Sequence, residues 1–411
     1  MAETGSPVVV TGLGVISPIG IGRAAFWSAL CAGKSGIAPW ATADATVPRL
    51  AARLPEFASR DIIRSSHLRR ADTLSRSIVC AARLALTDAG LPDVPPERMG
   101  IVVGSALGDV GESAQYLARL FTKGPSLVSP MTFPNLVLNA AASYAAMELG
   151  CTGANLTVSQ GEVSGEQAIA LGCDLIRAGR ADLVLAGGGD QFTEIVVAAY
   201  RDYRALSSQR GGAEWCSPYD VDRNGIILGE GAAMLVLESA EHAHRRAATV
   251  YAELLDYVSF GVPAPAYDWP LRAPAAAARL RELVVRCLGS PTDTGVDLVC
   301  GSANSSRRLD ACEVDVLLRV FGEAATRVAL TSIKGAIGQF GAAGALAAAA
   351  TCLALRDAIV PPLCNLRRAP ANAPFRFAAP RAEPRPMQTG LMLSMARGGG
   401  SMALLFRRPS A

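Results

Sequence analysis

Few residues of this chain could carry proton transfer or nucleophilic attack, and they are unevenly placed. Only three histidines occur in 411 residues, His67, His242 and His244, so everything after residue 244 lacks an imidazole. Ten cysteines are scattered without a CxxC pair, most of them in apolar runs such as those around Cys80, Cys173, Cys287 and Cys352. That usage reads as buried free thiols in a reducing compartment, with no metal site. Glu162 lies within GANLTVSQGEVSGEQAIALGCDLIRAGRADLVLAGGG, residues 153–189. As a general base it would need a raised pKa and a substrate beside it. As a filler it would need only a hydrogen-bond donor. Cys300 stands two residues before Ser302. It reads as a small buried residue rather than a nucleophile.

The elements that would position these groups alternate between strand-like and helix-like patterns. Val8–Thr11, Gly100–Gly104, Asp182–Ala186 and Met234–Leu237 are short apolar runs bounded by Gly or charge, and predict buried strands. Arg76–Ala89 and Val163–Ala178 predict helices between them. Beyond residue 250 the theme repeats, with strands at Val250–Ser259, Val296–Cys300 and Arg327–Leu330, a helix at Ala275–Cys287 and another from Gly341. The alternation predicts a layered α/β fold of two similar halves, residues 1–250 and 251–411, consistent with an ancient duplication. Pro-rich Val262–Pro274 and Arg367–Pro386 predict surface loops.

Composition narrows the function classes. Half of the residues are hydrophobic and 18% are charged, which allows a large core. A net charge of +3 is too weak to imply nucleic-acid binding. The Gly/Ala-rich stretch Phe340–Leu355 is short for a membrane span and predicts a buried helix. Met1–Pro7 has no basic run, so no secretory signal is expected and the predicted location is cytoplasmic.

Five motifs in order resemble the β-ketoacyl-ACP synthases, the condensing enzymes of fatty-acid and polyketide assembly. They are VVVTGLGVISPIG with FWSALCAGKSGI, CSPYDVDRNGIILGEGAAMLVLE from Cys216, DACE at Asp310–Glu313, TSIKGAIGQFGAAGA from Thr331, and VPPLCNL from Val360. The resemblance covers nearly the whole chain. It implies a thiolase-like, five-layered αβαβα fold and an obligate dimer. Active members use Cys-His-His: the Cys takes the acyl group, and the two His polarise the malonyl-ACP thioester carbonyl and assist decarboxylation. Here the Cys position, nine residues after Gly153, is Glu162, and the spacing onward to Gly179, Ala181 and Asp182 fits without a gap. The two His positions hold Ser302 and Gln339. A carboxylate cannot replace a thiolate in acyl transfer. Glu313 and Lys334 match the family's structural ion pair. Arg397 stands at the family's gating Phe, where it either pairs with Glu162 and plugs the pocket or points to solvent.

A condensing-enzyme scaffold without its reacting groups resembles the chain length factor, or KSβ subunit, of type II polyketide synthases. The resemblance implies a heterodimer with a catalytic ketosynthase, in which this chain shapes an acyl-chain tunnel during aromatic or polyene elongation from malonyl-ACP. Val110, Ser113 and Leu117, on the segment Gly108–Leu120, match the tunnel-gating positions. They are medium or small, which fits a longer or straighter tunnel. Met131, Thr132 and Phe133 open the interface stretch Met131–Asn139. Arg69 and Arg70 match the basic patch that docks the acyl carrier protein, and Arg307, Arg308, Arg367 and Arg368 add positive charge. No cofactor is expected on this chain, since the acyl groups travel on the carrier's 4'-phosphopantetheine. Two alternatives stay open: a divergent homodimer using Glu162 as acid/base on an acyl thioester, and a scaffold that recruits carrier protein without setting length.

Overall fold

A computed structural model describes residues 6–409, apart from 43–49, 64, 66, 67, 69, 92, 210 and 290–294. Arg69 and His67 therefore lie outside the described residues.

The main sheet is built from β1 (Val8–Ser17), β2 (Met99–Gly104), β3 (Asn155–Val158), β4 (Leu183–Asp190), β5 (Gly231–Ser239), β6 (Ala252–Gly261), β7 (Leu298–Cys300), β8 (Ala329–Thr331), β9 (Thr389–Met395) and β10 (Gly400–Arg407). Their spatial order is β8-β7-β9-β10-β6-β1-β5-β4-β2-β3. The two halves repeat one pattern. In the first, β2 pairs in parallel with β3 and β4, and β5 runs antiparallel to β4 and β1. In the second, β7 pairs in parallel with β8 and β9, and β10 runs antiparallel to β9 and β6. β1 and β6 join the halves antiparallel, Val8 opposite Leu254.

Alternation along these strands creates the layers, because successive side chains point to opposite faces. On β4, Leu183 and Leu185 enter one core while Val184 and Ala186 enter another. On β5 the same split separates Met234 and Val236 from Leu235 and Leu237. In the second half, Leu391 and Leu393 face outward to a third core while Met392 faces the centre. Six helices supply the covering layers. α1 (Thr73–Asp88) and α3 (Ala140–Leu149) cover the first half-sheet, and α6 (Pro274–Leu288) and α7 (Arg307–Phe321) cover the second. α4 (Ser164–Arg177) and α8 (Gly344–Asp357) lie between the half-sheets. This is the expected thiolase-like αβαβα arrangement.

The apolar stretch from Phe340 forms α8, which buries every residue from Gly344 to Leu355. Its Ala-rich surface lets α4 approach closely. A Cβ on Gly165 would meet the Ala342 carbonyl oxygen at 2.9 Å, so this crossing needs glycine. No helix among the described residues is long and apolar enough to cross a membrane.

Two further helices, α2 (Val110–Lys123) and α5 (Glu194–Asp202), line one edge of the first half. In chain order α2 falls between α1 and α3, and α5 between α4 and α6. α2 is amphipathic yet buries no residue in this chain. Strands β9 and β10 were not expected from sequence. Their apolar pattern is continuous rather than alternating because both faces are buried, which leaves no period to read.

Candidate functional site

Glu162 sits between β3 and α4. A turn with Gly161 at φ +58° brings it there, and Ser164 Oγ accepts from Gln160 N (2.9 Å) and donates to Gly161 O (2.7 Å). The carboxylate thus faces the N-terminal end of α4, where the helix dipole favours negative charge. Gln339 follows Gly338, whose φ is +71° and whose added Cβ would meet Gly229 N at 2.9 Å. Arg397 begins the β9–β10 turn. Gly399 in that turn has φ +86°, and a Cβ there would collide with the Val262 carbonyl at 1.5 Å. Three loops, from three distant parts of the chain, therefore converge on one point.

At that point Glu162 is held by four contacts. Oε1 accepts from the Tyr200 hydroxyl at 3.3 Å and from Gln339 Nε2 at 3.2 Å. Oε2 accepts from the Arg397 backbone N–H at 2.9 Å. The Arg397 guanidinium stands 3.9 Å from Oε1, with the two side chains 8% and 11% exposed. Of the two alternatives for Arg397, the inward one is what the structure contains. Its guanidinium carbon lies 3.9 Å from the Tyr200 ring centroid and 4.4 Å from that of Trp269, a cation–π sandwich. Burial, and then the Glu162 charge, push the Tyr200 hydroxyl pKa above its ordinary value, so it serves as a neutral donor.

Behind Glu162 a polar chain runs into the core. Gln339 Oε1 accepts from Lys334 Nζ at 3.0 Å and from Asn304 Nδ2 at 3.1 Å. Burial holds the Lys334 ammonium below its usual pKa, opposed by the Glu162 and Glu166 carboxylates. Glu166, one helical turn after Glu162, is fully buried and neither of its oxygens has a hydrogen-bond partner. Burial pushes its pKa up to about 7, and Ser394 eases that shift without reaching hydrogen-bond geometry.

The expected Glu313–Lys334 ion pair is not formed. Glu313 accepts from the backbone N–H groups of Ser302 (2.6 Å) and Ala303 (2.8 Å) and from the Tyr219 hydroxyl (2.8 Å). Those donors occupy both of its oxygens, while the Lys334 ammonium turns toward Gln339 and the two carboxylates of the α4 end. Burial pushes the Glu313 carboxyl up to about 7. Ser302 is also occupied: its Oγ accepts from Met395 N at 3.1 Å.

Glu162, Gln339 and Arg397 line a cavity of about 390 Å³, together with Leu107, Val110, Phe192, Ile195, Val196, Ala199, Tyr200, Tyr203, Leu228 and Phe340. Ser302, Glu313 and Lys334 lie outside its lining. Cys300 faces the central core, and burial pushes its thiol up to about 12, so it is no nucleophile. His242 belongs elsewhere, 2.5 Å from Glu238 Oε2. The cavity is lined by two carboxylates, Glu162 and Asp190, a guanidinium and apolar walls, and it offers no thiol and no imidazole; Asp190 is taken up by Ser105 Oγ and the backbone N–H groups of Ala106, Leu107 and Ala342. Such a site can bind and shape an apolar chain but has no thiol to acylate.

Val110 touches this cavity, whereas Ser113 is half-buried and Leu117 is 46% exposed. Met131 and Phe133 are exposed at 58% and 57%, and Thr132 is half-buried. Phe121 is exposed at 81%, and the edge strand β3 adds Leu156. These residues form one apolar side of the first half. The Arg70 carbonyl accepts from Asn135 Nδ2 at 2.8 Å, which ties that basic position to the exposed loop. The other arginines are engaged: Arg307 with the Arg223 carbonyl, Arg308 with Asp268, Arg368 with Asp222, and Arg367 over the Trp215 ring. The sequence reading did not single out Tyr200, Tyr203, Trp269 or Phe192. Their only local signal is the i, i+3 spacing of Tyr200, on α5, and Tyr203, the residue that caps its C-terminal end.

Comparison with known proteins agrees with this fold. The N-terminal domain description of the beta-ketoacyl synthases matches residues 5–243, and the C-terminal domain description matches residues 264–367. The chain is 31% identical to a 3-oxoacyl-[acyl-carrier-protein] synthase 2 of Coxiella burnetii, over 98% of each chain. It superposes on the ishigamide ketosynthase/chain length factor with a TM-score of 0.91 and 28% identity, covering 99% of this chain and 100% of that one. It is also similar to a type II polyketide synthase ketosynthase solved with its acyl-carrier protein and bound to the hexaketide, with TM-score 0.87, 26% identity and coverage of 99% and 100%.

Proposed function

Because this chain belongs to the β-ketoacyl synthase family, we propose that it is a non-catalytic, chain-length-factor-type subunit of a condensing complex. It would pair with a catalytic ketosynthase and form part of the tunnel for the growing chain, which arrives on the 4'-phosphopantetheine of an acyl carrier protein. The observation that carries the reading is the state of Glu162. It accepts from Tyr200, Gln339 and Arg397 and has no imidazole beside it. Both of its oxygens are held as hydrogen-bond acceptors, and the thiolate on which the family's acyl transfer depends is absent from this position.

The open apolar side supports the pairing. α2 buries no residue in this chain, and Leu117, Phe121, Met131 and Phe133 are all exposed. Contiguous exposure of this kind marks an interface. A second ketosynthase-fold chain is the occupant we assign to it, with Val110, Ser113 and Leu117 on one face of α2 directed at the shared tunnel. Arg70, with Arg69 before it, is assigned to carrier-protein docking. The halves 1–250 and 251–411 are proposed as the two units of the duplication.

The rival reading is a homodimeric enzyme that uses Glu162 as acid/base, and the identity to a 3-oxoacyl-[acyl-carrier-protein] synthase 2 keeps it in play. Co-expression with a catalytic ketosynthase from the same source decides between them. The proposal expects a one-to-one heterodimer that elongates malonyl-ACP only when both chains are present. A stable homodimer with activity lost in Glu162→Ala would overturn it.

A further inference from the structure

A separate cavity of about 420 Å³ lies between the residues that follow α5 and those that begin α7. Three arginines line it, Arg204, Arg307 and Arg308, against one carboxylate, Asp268. That carboxylate is taken up: one oxygen pairs with Arg308 and the other accepts from Trp269 N at 2.8 Å. Arg307 uses only its Nε, which donates to the Arg223 carbonyl at 3.1 Å. Arg204 is exposed, and its guanidinium has no partner among the described residues. It holds φ +54°, a left-handed conformation that helix ends usually leave to glycine. The cavity therefore keeps a net positive charge and two guanidinium forks with open donors, which suit a phosphate. Its other feature is aromatic. Tyr203 and Tyr267 stack with centroids 6.3 Å apart and planes 29° from parallel, and they are 51% and 59% exposed. A planar ring stacks on such a surface through its π face, with little dependence on the ring's substituents.

We propose that this cavity is a binding site for a nucleotide, its base stacked on Tyr203 and Tyr267 and its phosphate held by Arg204 and Arg307. The two kinds of lining select together. An acidic peptide or inorganic phosphate would satisfy the arginines and leave the rings bare. A neutral ring would stack and leave the guanidinium donors to water. The Ser306 hydroxyl lines the cavity and makes no hydrogen bond among the described residues, so it is open to the sugar or the base edge. Trp269 and Asn224 are not available. Trp269 donates to the Met395 carbonyl at 3.0 Å and stacks on Arg397, and Asn224 is hydrogen-bonded to Ser207, Gly211 and Ala213. A carrier's phosphopantetheine also bears a phosphate ester, so the ring, not the phosphate, distinguishes the nucleotide. No bond is made or broken. The inference goes beyond the proposed function and is independent of the heterodimer.

The test is calorimetric titration of the purified full chain with AMP, adenosine, ribose 5-phosphate and 4'-phosphopantetheine at low salt. AMP should bind about tenfold more tightly than each of the other three. Its affinity should fall as salt rises, because the guanidinium contacts are exposed. Arg204→Gln should lower AMP affinity about fivefold and leave adenosine unchanged. Tyr267→Ala should lower AMP and adenosine affinity alike and leave ribose 5-phosphate unchanged. Both side chains are exposed, so the thermal midpoint should not move in either variant. If Arg204→Gln fails to fold, Arg307→Gln reads the same phosphate contact. Binding of ribose 5-phosphate or phosphopantetheine as tight as that of AMP overturns the nucleotide assignment, because the rings then contribute nothing. AMP binding that neither variant weakens, or no saturable AMP binding, overturns the site. None of these outcomes bears on the proposed function, which stands or falls on the co-expression result.

Discussion

Arg397 engages Glu162 twice. Its backbone N–H donates to Oε2 at 2.9 Å, and its guanidinium stands 3.9 Å from Oε1 between the rings of Tyr200 and Trp269. The turn that presents the backbone N–H is the one that aims the side chain inward. The carboxylate at the α4 end and the β9–β10 turn thus hold each other in place, across 235 residues of sequence.

Removing either side chain should be costly, because it strands the other as a buried charge. Glu162→Ala is expected to destabilise the chain by about 2 kcal/mol, at the lower end of such losses because the contact is long and partly open. Arg397→Met should cost a similar amount. The double variant should cost less than the sum, since neither charge is then stranded. Chemical denaturation of the four proteins measures the coupling. Additive losses would mean that the two groups do not stabilise each other.

Sequence reading reached part of this site and missed part, for physical reasons. Glu162, Ser302 and Gln339 were legible because each sits at a fixed spacing inside a strong motif. Their neighbours Tyr200 and Trp269 were not, because a ring's position over a guanidinium depends on tertiary packing alone. The Glu313–Lys334 pair failed for a related cause. Sequence shows that both charges are kept but not that Tyr219 and two backbone N–H groups already occupy both oxygens of Glu313. Strands β2 and β4 could be read from β-branched runs bounded by Gly. The β3 strand was masked by its polar, partly exposed residues, and its exposure makes sense as an unpaired sheet edge.

Glu166 should make stability depend on pH in a direction opposite to that of an ordinary surface carboxylate. Burial pushes its folded pKa up to about 7 from 4.5. Between those values the unfolded chain has lost the proton and the folded chain keeps it. Stability from this group is therefore full below the unfolded pKa, falls as pH rises toward 7, and is flat above it. Glu166→Gln removes the ionisation, so the variant should gain on the wild type as pH rises, by up to about 3 kcal/mol. Glu313, Asp190 and Asp310 shift upward as well, so the informative quantity is the difference between variant and wild type. Unfolding curves from pH 4 to pH 9 give it. A difference that does not change with pH would place Glu166 outside this titration.

Assembly should respond to charge on the open apolar side. Phe121, exposed at 81%, buries little of its ring in the isolated chain. Phe121→Glu should leave the thermal midpoint of the chain alone unchanged. Its affinity for the proposed ketosynthase partner should fall at least tenfold, because a carboxylate would have to be desolvated in an apolar contact. Phe133→Glu, on the neighbouring loop, should act alike. Light scattering of the mixed subunits reads the outcome, and full-strength assembly by both variants would place the interface elsewhere.

Product length is the test of what α2 is for. Val110, Ser113 and Leu117 follow i, i+3 and i+7 spacing, which puts them on one helix face. Val110 already touches the cavity of its own chain, and Leu117 at 46% exposure faces outward, so Ser113 stands between the two environments. Its small side chain leaves room where a larger one would project toward the proposed shared tunnel. Ser113→Phe should therefore shorten the product of the reconstituted complex by one or more two-carbon units, with little change in the initial rate of malonyl consumption. An apolar tube of fixed depth excludes further chain sterically, and a blocked end is felt only once the chain reaches it. Mass analysis of the released products reads the distribution directly. An unchanged distribution with an intact heterodimer would leave this chain a partner and a scaffold, and would move the measure of length to the catalytic subunit.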